Sequence, residues 1–136
     1  MIYNFDDKKL NLIFDTLDQI KSVDKNWKPY WLAKDIFSVL NCKEFCCYQV
    51  LEVNLMNAIF TYIKENFGCN VSNHFTYFSE LDDWKLSCYG CFLLLDEINR
   101  SLPLALKTNT IIKAWSYFHF HCSIEKSHFE SDGSGI

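Results

Sequence analysis

Apolar residues recur along this chain at spacings of three and four, the period of helices with one buried face. Leu10, Ile13, Phe14, Leu17 and Ile20 form the first stripe and predict a helix over residues 7–21. Asp6 and Asp7 suit its positive end, while Lys9, Asp15, Asp18 and Lys21 give it a wet side. Residues 22–30 form a polar connection ending in Lys28-Pro29-Tyr30. Pro29 pushes Lys28 toward an extended backbone, so a short strand or turn leads into Trp31. A second helix is predicted over 32–40, with Leu32, Ile36, Phe37 and Leu40 inward, Lys34 and Asp35 outward, and Asn41 as its stop.

Glu44 to Tyr48 fit one helical turn, and Val50, Leu51, Leu55, Ala58, Ile59, Tyr62 and Ile63 then describe a longer amphipathic helix that stops at Gly68. His74-Phe75-Thr76-Tyr77-Phe78 alternates like a short strand. Asp82 and Asp83 are read as caps of a fourth helix over 84–97, apolar on nearly every side between Leu86 and Leu95 and therefore buried. The last helix is predicted over 102–120, with Pro103 in its first turn and Ile111, Ile112, Trp115 and Phe118 inward. Together these elements predict a mainly α fold with a minor β element (α+β). The expected architecture is one compact domain over 1–124, with Trp84–Leu95 as its central rod and a flexible tail over 125–136.

Composition narrows the classes. Apolar residues make up 49% of the 136 and aromatic residues 17%, with only 4 Gly and 2 Pro, which is the profile of a packed helical domain. The formal charge is -4; the first 40 residues balance at six of each sign, and from residue 41 onward 7 bases face 11 acids. A field of that sign offers phosphate backbones no general attraction, so nucleic-acid contact needs a local basic surface. Neither a secretory leader nor a run approaching the roughly 20 apolar residues of a membrane span is evident, so a cytoplasmic location without membrane insertion is expected. The seven cysteines, at 42, 46, 47, 69, 88, 91 and 122, read as free thiols that pack like small hydrophobes.

Three stretches carry a resemblance. Residues 30–45, from Tyr30-Trp31-Leu32-Ala33-Lys34-Asp35 to Phe45, resemble the opening helix of the DNA-damage-inducible protein D group and its relatives, the baculovirus-repeat (BRO) and phage antirepressor N-terminal domains. Residues 74–92, with His74-Phe75 and Asp83-Trp84-Lys85-Leu86-Ser87-Cys88-Tyr89-Gly90-Cys91-Phe92, resemble that group's His-Phe segment and a following helix, with Cys88 where the group carries an arginine. Ala114-Trp115-Ser116-Tyr117-Phe118 resemble its closing helix. The resemblance implies DNA-damage, phage or mobile-element biology, with DNA binding or restraint of recombinase filaments as the associated activities.

Candidate chemistry is sparse. Lys28 and Lys34 flank Pro29-Tyr30-Trp31 and, with Lys43, Lys85 and Arg100, are the candidates for a surface that holds phosphate or stacks a base. Lys25, Lys107 and Lys113 add to the basic inventory. Glu80, Asp82, Asp83, Asp96 and Glu97 make residues 79–99 acidic and are the candidates for meeting a basic protein patch. Cys88 and Cys91, one turn apart, with His119, His121 and Cys122, could ligate zinc or carry thiol chemistry, though packing is the simpler account. His74 with Asp82 or Asp83 is the only acid-base pairing the sequence suggests, with no nucleophile to accompany it. The expectation is a non-enzymatic regulatory binding module without cofactor, acting on a protein or nucleoprotein; a direct DNA-binding regulator and a zinc or thiol protein centred on Cys88 and Cys91 are the alternatives.

Overall fold

The computed structural model describes residues 12–40, 48–66, 70–101 and 109–134, with side chains at 12–40, 52–66, 70–101 and 110–122. Helix α1 (residues 12–20) leads into strand β1 (Ser22–Val23), which turns back into β2 (Pro29–Leu32). Helix α2 (Ala33–Leu40) follows without a break, then α3 (Tyr48–Glu65) and a single 3₁₀ turn at Val71–Asn73. Strands β3 (Phe75–Phe78) and β4 (Asp83–Leu86) lead into α4 (Cys88–Ser101), and α5 (Asn109–Ser134) closes the chain. The fold is mainly α with a small antiparallel sheet of order β1-β2-β4-β3.

Register explains which residues reach the core. Trp31 pairs with Leu86, and Leu86 with Phe75, so these three side chains share one face, and all three are buried. Leu17 of α1, Ile36, Phe37 and Leu40 of α2, Leu55, Ala58 and Tyr62 of α3, Leu94, Leu95 and Ile98 of α4, and Ile111, Tyr117 and Phe118 of α5 join them in the core. Helix α4 packs against both α3 and α5 and runs through the middle of the fold. Tyr117 donates its hydroxyl hydrogen to Asp18, tying α5 to α1.

The fourth helix differs from expectation at its start. Asp83–Leu86 is a strand, and the helix begins only at Cys88, so the expected central rod is divided between strand and helix. The cause is Ser87, which sits outside the helix and whose Oγ accepts the Gly90 N–H at 3.0 Å, an N-cap that fixes the first turn. Upstream of that cap, residues 83–86 pair with β3 instead. The stretch from Asp83 to Phe92 that carries the family resemblance therefore changes backbone state midway. Burial is also one-sided: Cys88, Cys91, Leu94, Leu95 and Ile98 are buried, whereas Tyr89, Phe92 and Leu93 are half-buried.

Gly90 is required where it stands. A Cβ there would lie 2.5 Å from the His74 carbonyl oxygen, because α4 passes directly over the start of β3.

Asp83 does not cap α4. Its buried carboxylate accepts the Lys34 N–H at 3.2 Å and the Trp84 N–H at 2.8 Å, so it caps α2 from the neighbouring strand. The second helix, the helix ending at Glu65 and the strand after His74 lie where the pattern puts them. Ile63 and Ile112, expected inward, are exposed. The helical backbone of α5 reaches Ser134, through most of the stretch expected to form a tail, with Gly133 the first residue able to interrupt it. Residues 1–11, the turn at 44–47, Gly68 and the Pro103 turn lie outside the described residues.

Candidate functional site

The polar connection between α1 and Trp31 folds as a hairpin whose tip is organised by one aspartate. Asp24 accepts the N–H groups of Asn26 (2.8 Å) and Lys28 (3.0 Å) on its side-chain Oδ1. Its own N–H donates to the Lys28 carbonyl, and its carbonyl accepts the Trp27 N–H, both at 3.0 Å. The two N–H groups donated to its carboxylate, Lys28 before Asn26, hold the Asp24 carboxyl below its ordinary pKa, and the ammonium groups of Lys85 and Lys28 pull in the same direction.

The three-residue loop closes with Trp27 at a φ of 64°, the left-handed position that such hairpins normally give to glycine. For an L-residue this conformation costs about 1–2 kcal/mol. The side chain recovers little of that by packing, since Trp27 is 85% exposed. Lys25 and Lys28 flank it, both exposed, and Lys21 precedes β1. A large aromatic ring is thus presented to solvent between ammonium groups, on a turn with a fixed shape.

Beside the hairpin, Lys85 lies with its Nζ 4.3 Å from the centre of the Tyr30 ring and 5.7 Å from that of Phe78. Leu32 pairs with Lys85, and Lys85 with Thr76, which puts Tyr30, Leu32, Thr76, Phe78 and Lys85 on the sheet face opposite Trp31. Tyr30 and Lys85 therefore meet beside the hairpin that carries the exposed Lys28.

The other basic and aromatic candidates do not join them. Trp31 is 1% exposed, and its indole N–H is used by the Leu17 carbonyl at 2.8 Å, so no external partner can reach it. Lys34 lies beside Asp82, with Nζ 3.9 Å from the carboxylate, in a cleft also lined by Glu52, Met56, Tyr77 and Trp84. Arg100 bridges back to Asp96 at 3.3 Å and Glu97 at 2.9 Å. Lys43 and Lys107 lie outside the described residues, as do Cys42, Cys46, Cys47 and Cys69.

The acidic candidates are dispersed in the same way. Asp83 is committed to α2, and burial together with this carboxylate raises the pKa of Asp35 on that helix. Asp82, at a φ of 48°, accepts the Tyr77 hydroxyl, and Asp96 accepts the Trp115 indole N–H at 3.2 Å. Glu80 is exposed. Asp82 and Asp83 on one side and Asp96 and Glu97 on the other thus serve two separate arrangements within the fold.

His74 stands with Ser87, whereas Asp83 pairs with Phe78 at the far end of β3 and Asp82 lies in the turn beyond it. Its Nδ1 is 2.6 Å from Ser87 Oγ, and its ring meets Tyr62 and Tyr89 edge-on. Burial lowers its pKa, and Lys28 adds to that. The Ser87 hydroxyl is already occupied as the cap of α4, so this pair joins β3 to α3 and α4. Cys88 and Cys91 are buried and Cys122 is half-buried. Among the described residues no three His, Cys, Asp or Glu side chains come together as metal ligands.

Trp27 is the residue the sequence reading missed. Its signal was weak: an aspartate opening a short Lys-Asn-Trp-Lys loop, with no glycine to mark the left-handed position. Compared with protein families, characterised proteins and solved structures, the chain matches none of them.

Proposed function

We propose that this chain is a non-enzymatic regulatory binding module that acts on a nucleoprotein in DNA-damage, phage or mobile-element biology, with the β1–β2 hairpin as its contact surface. The biological setting comes from the family resemblance of residues 30–45, 74–92 and 114–118. The observation that supports the contact surface is Trp27, exposed in a backbone conformation that disfavours it. Strain of that kind is characteristically kept at functional positions.

Trp27 supplies an apolar anchor, and Lys25, Lys28 and Lys85 supply charge that steers an acidic surface toward it. The same group favours direct DNA binding as the second reading, because indole stacks on any base and ammonium groups neutralise phosphate.

Binding is measured against three probes over a salt series: a naked single strand, a naked duplex, and a recombinase filament assembled on the single strand. The proposal expects the filament to be bound tightest, and Trp27→Gly or a Lys25→Glu/Lys28→Glu double variant to weaken that binding at least tenfold. Tight binding to naked DNA that falls steeply with salt selects the second reading. Equal binding by wild type and both variants rejects the hairpin as the contact.

A further inference from the structure

The cleft between α2, α3 and the β3–β4 turn encloses about 250 Å³. Phe37, Leu55, Met56 and Trp84 make it apolar inside, and the Tyr77 ring is tilted against that of Trp84 at a centroid distance of 5.5 Å. Lys34, Glu52, Asp82 and Asp83 complete the lining, so three carboxylates face one ammonium. Asp83 is the informative one, because it is only 6% exposed and half of its carboxylate is idle. Both N–H groups it accepts go to Oδ1, and no described residue donates to Oδ2. Nor is Oδ2 sealed away: among the described residues, the fully buried side-chain oxygen without a partner is Asn99 Oδ1. Lys34 does not serve it, since its Nζ is turned to Asp82 at 3.9 Å. The negative excess reaches α2, where burial and then the Asp83 charge raise the pKa of Asp35. A carboxylate oxygen taken out of water without a donor is costly, and a cation that brings donors relieves it.

We propose that this cleft takes the side chain of an arginine presented by a partner protein. Its volume lies below the ~300–1,000 Å³ of sites that enclose a drug-sized ligand, and suits one long side chain. A guanidinium is flat and weakly hydrated, so it stacks on the Trp84 ring while its methylene stem lies against Met56. Its forked N–H groups serve Asp83 Oδ2 on one edge and leave the other edge for Glu52 or Asp82 at the exposed mouth. A lysine ammonium carries the charge but has neither the flat face nor the second edge. The cleft lies at the α2 end of β2, away from the β1–β2 hairpin, and prefers the opposite charge, so it stands independently of the hairpin contact.

Titration of the full chain with the blocked peptide acetyl-Gly-Ala-Arg-Ala-Gly-amide tests this, followed by the indole N–H resonance that Trp84→Phe removes. A single anchored side chain should give a dissociation constant of roughly 1 mM. The same peptide with citrulline, uncharged but of nearly the same shape, should bind about tenfold more weakly, with the lysine peptide between the two. Glu52→Lys should weaken arginine binding, Lys34→Ala should tighten it by removing the competing ammonium, and Asp83→Asn, which keeps an Oδ1 acceptor for α2, should abolish it. Circular dichroism checks that each variant is folded; if Asp83→Asn is not, Glu52→Lys and Lys34→Ala decide, since neither residue belongs to the core. A Trp84 resonance that never moves, equal binding of the arginine and citrulline peptides, or a folded Glu52→Lys or Lys34→Ala variant that binds like the wild type would each overturn the proposal.

Discussion

Trp27 and Trp31 belong to one hairpin, four residues apart, and have opposite fates. Trp31 lies in β2 with its ring edge-on to Tyr117 and Phe118, at centroid distances of 6.2 and 5.0 Å, and its N–H on α1. Trp27 lies on the turn and touches little. Residue type does not separate them, because both are bulky, apolar and rich in contact area. Position does: strand alternation delivers Trp31 to the core face, while the loop closed by Asp24 and Lys28 holds Trp27 outside. The first tryptophan is a term in stability, and the second is a surface kept despite its strain.

The largest effect expected from this contrast is at the buried ring. Trp31→Ala leaves a cavity and an unpaired Leu17 carbonyl and should cost about 3–5 kcal/mol in a urea titration, a large part of the ~5–15 kcal/mol that stabilises a typical domain. A loss as small as that of a surface substitution would remove Trp31 from the core. Next comes Gly90→Ala, whose methyl meets backbone that cannot swing away. About 1–3 kcal/mol should be lost, and a neutral result would show that α4 does not approach β3 so closely. Asp83→Ala removes the cap of α2 from a distant strand and should cost about 1–2 kcal/mol.

A smaller effect is expected from pH. The folded state resists protonation of His74, which burial holds below its ordinary value of 6.5, while the unfolded chain takes up that proton readily. The unfolded state therefore binds more protons as pH falls through 6.5, and this contribution to stability declines between 6.5 and the lower folded-state pKa. The urea midpoint should drop between neutral and mildly acidic pH, and His74→Gln should flatten that dependence. A midpoint that rises on acidification in the wild type would reverse the sign and contradict a buried neutral ring.

Much of the scaffold could be read from residue order, and the reasons are local. The period of three and four placed α2 and α3 because Ile36, Phe37 and Leu40, and Leu55, Ala58 and Tyr62, are packed. Pro29 announced β2 through its fixed backbone angle, and alternation announced β3. Strand β1 has two residues and no pattern to detect. Strand β4 was read as helix because Trp84-Lys85-Leu86 joins an apolar run, and only pairing with β3 distinguishes the two states.

Less of the site was visible. Tyr30 and Lys85 were named from residue type and do meet, with Lys28 exposed on the adjoining hairpin. Lys34 and Arg100 were named on the same grounds and lie against carboxylates, a matter of distances that no linear pattern contains. Trp27 escaped because a left-handed φ carries no mark when glycine is absent.

Trp27→Gly tests the central contrast most directly through a single urea unfolding curve. Glycine adopts the left-handed turn without strain but gives up about 0.5–1 kcal/mol of backbone entropy, against the ~1–2 kcal/mol that an L-residue spends there. The variant should therefore be as stable as the wild type or up to about 1.5 kcal/mol more stable. A clear loss of stability would mean that Trp27 packs as part of the fold, and the hairpin would cease to be a surface held open for a partner.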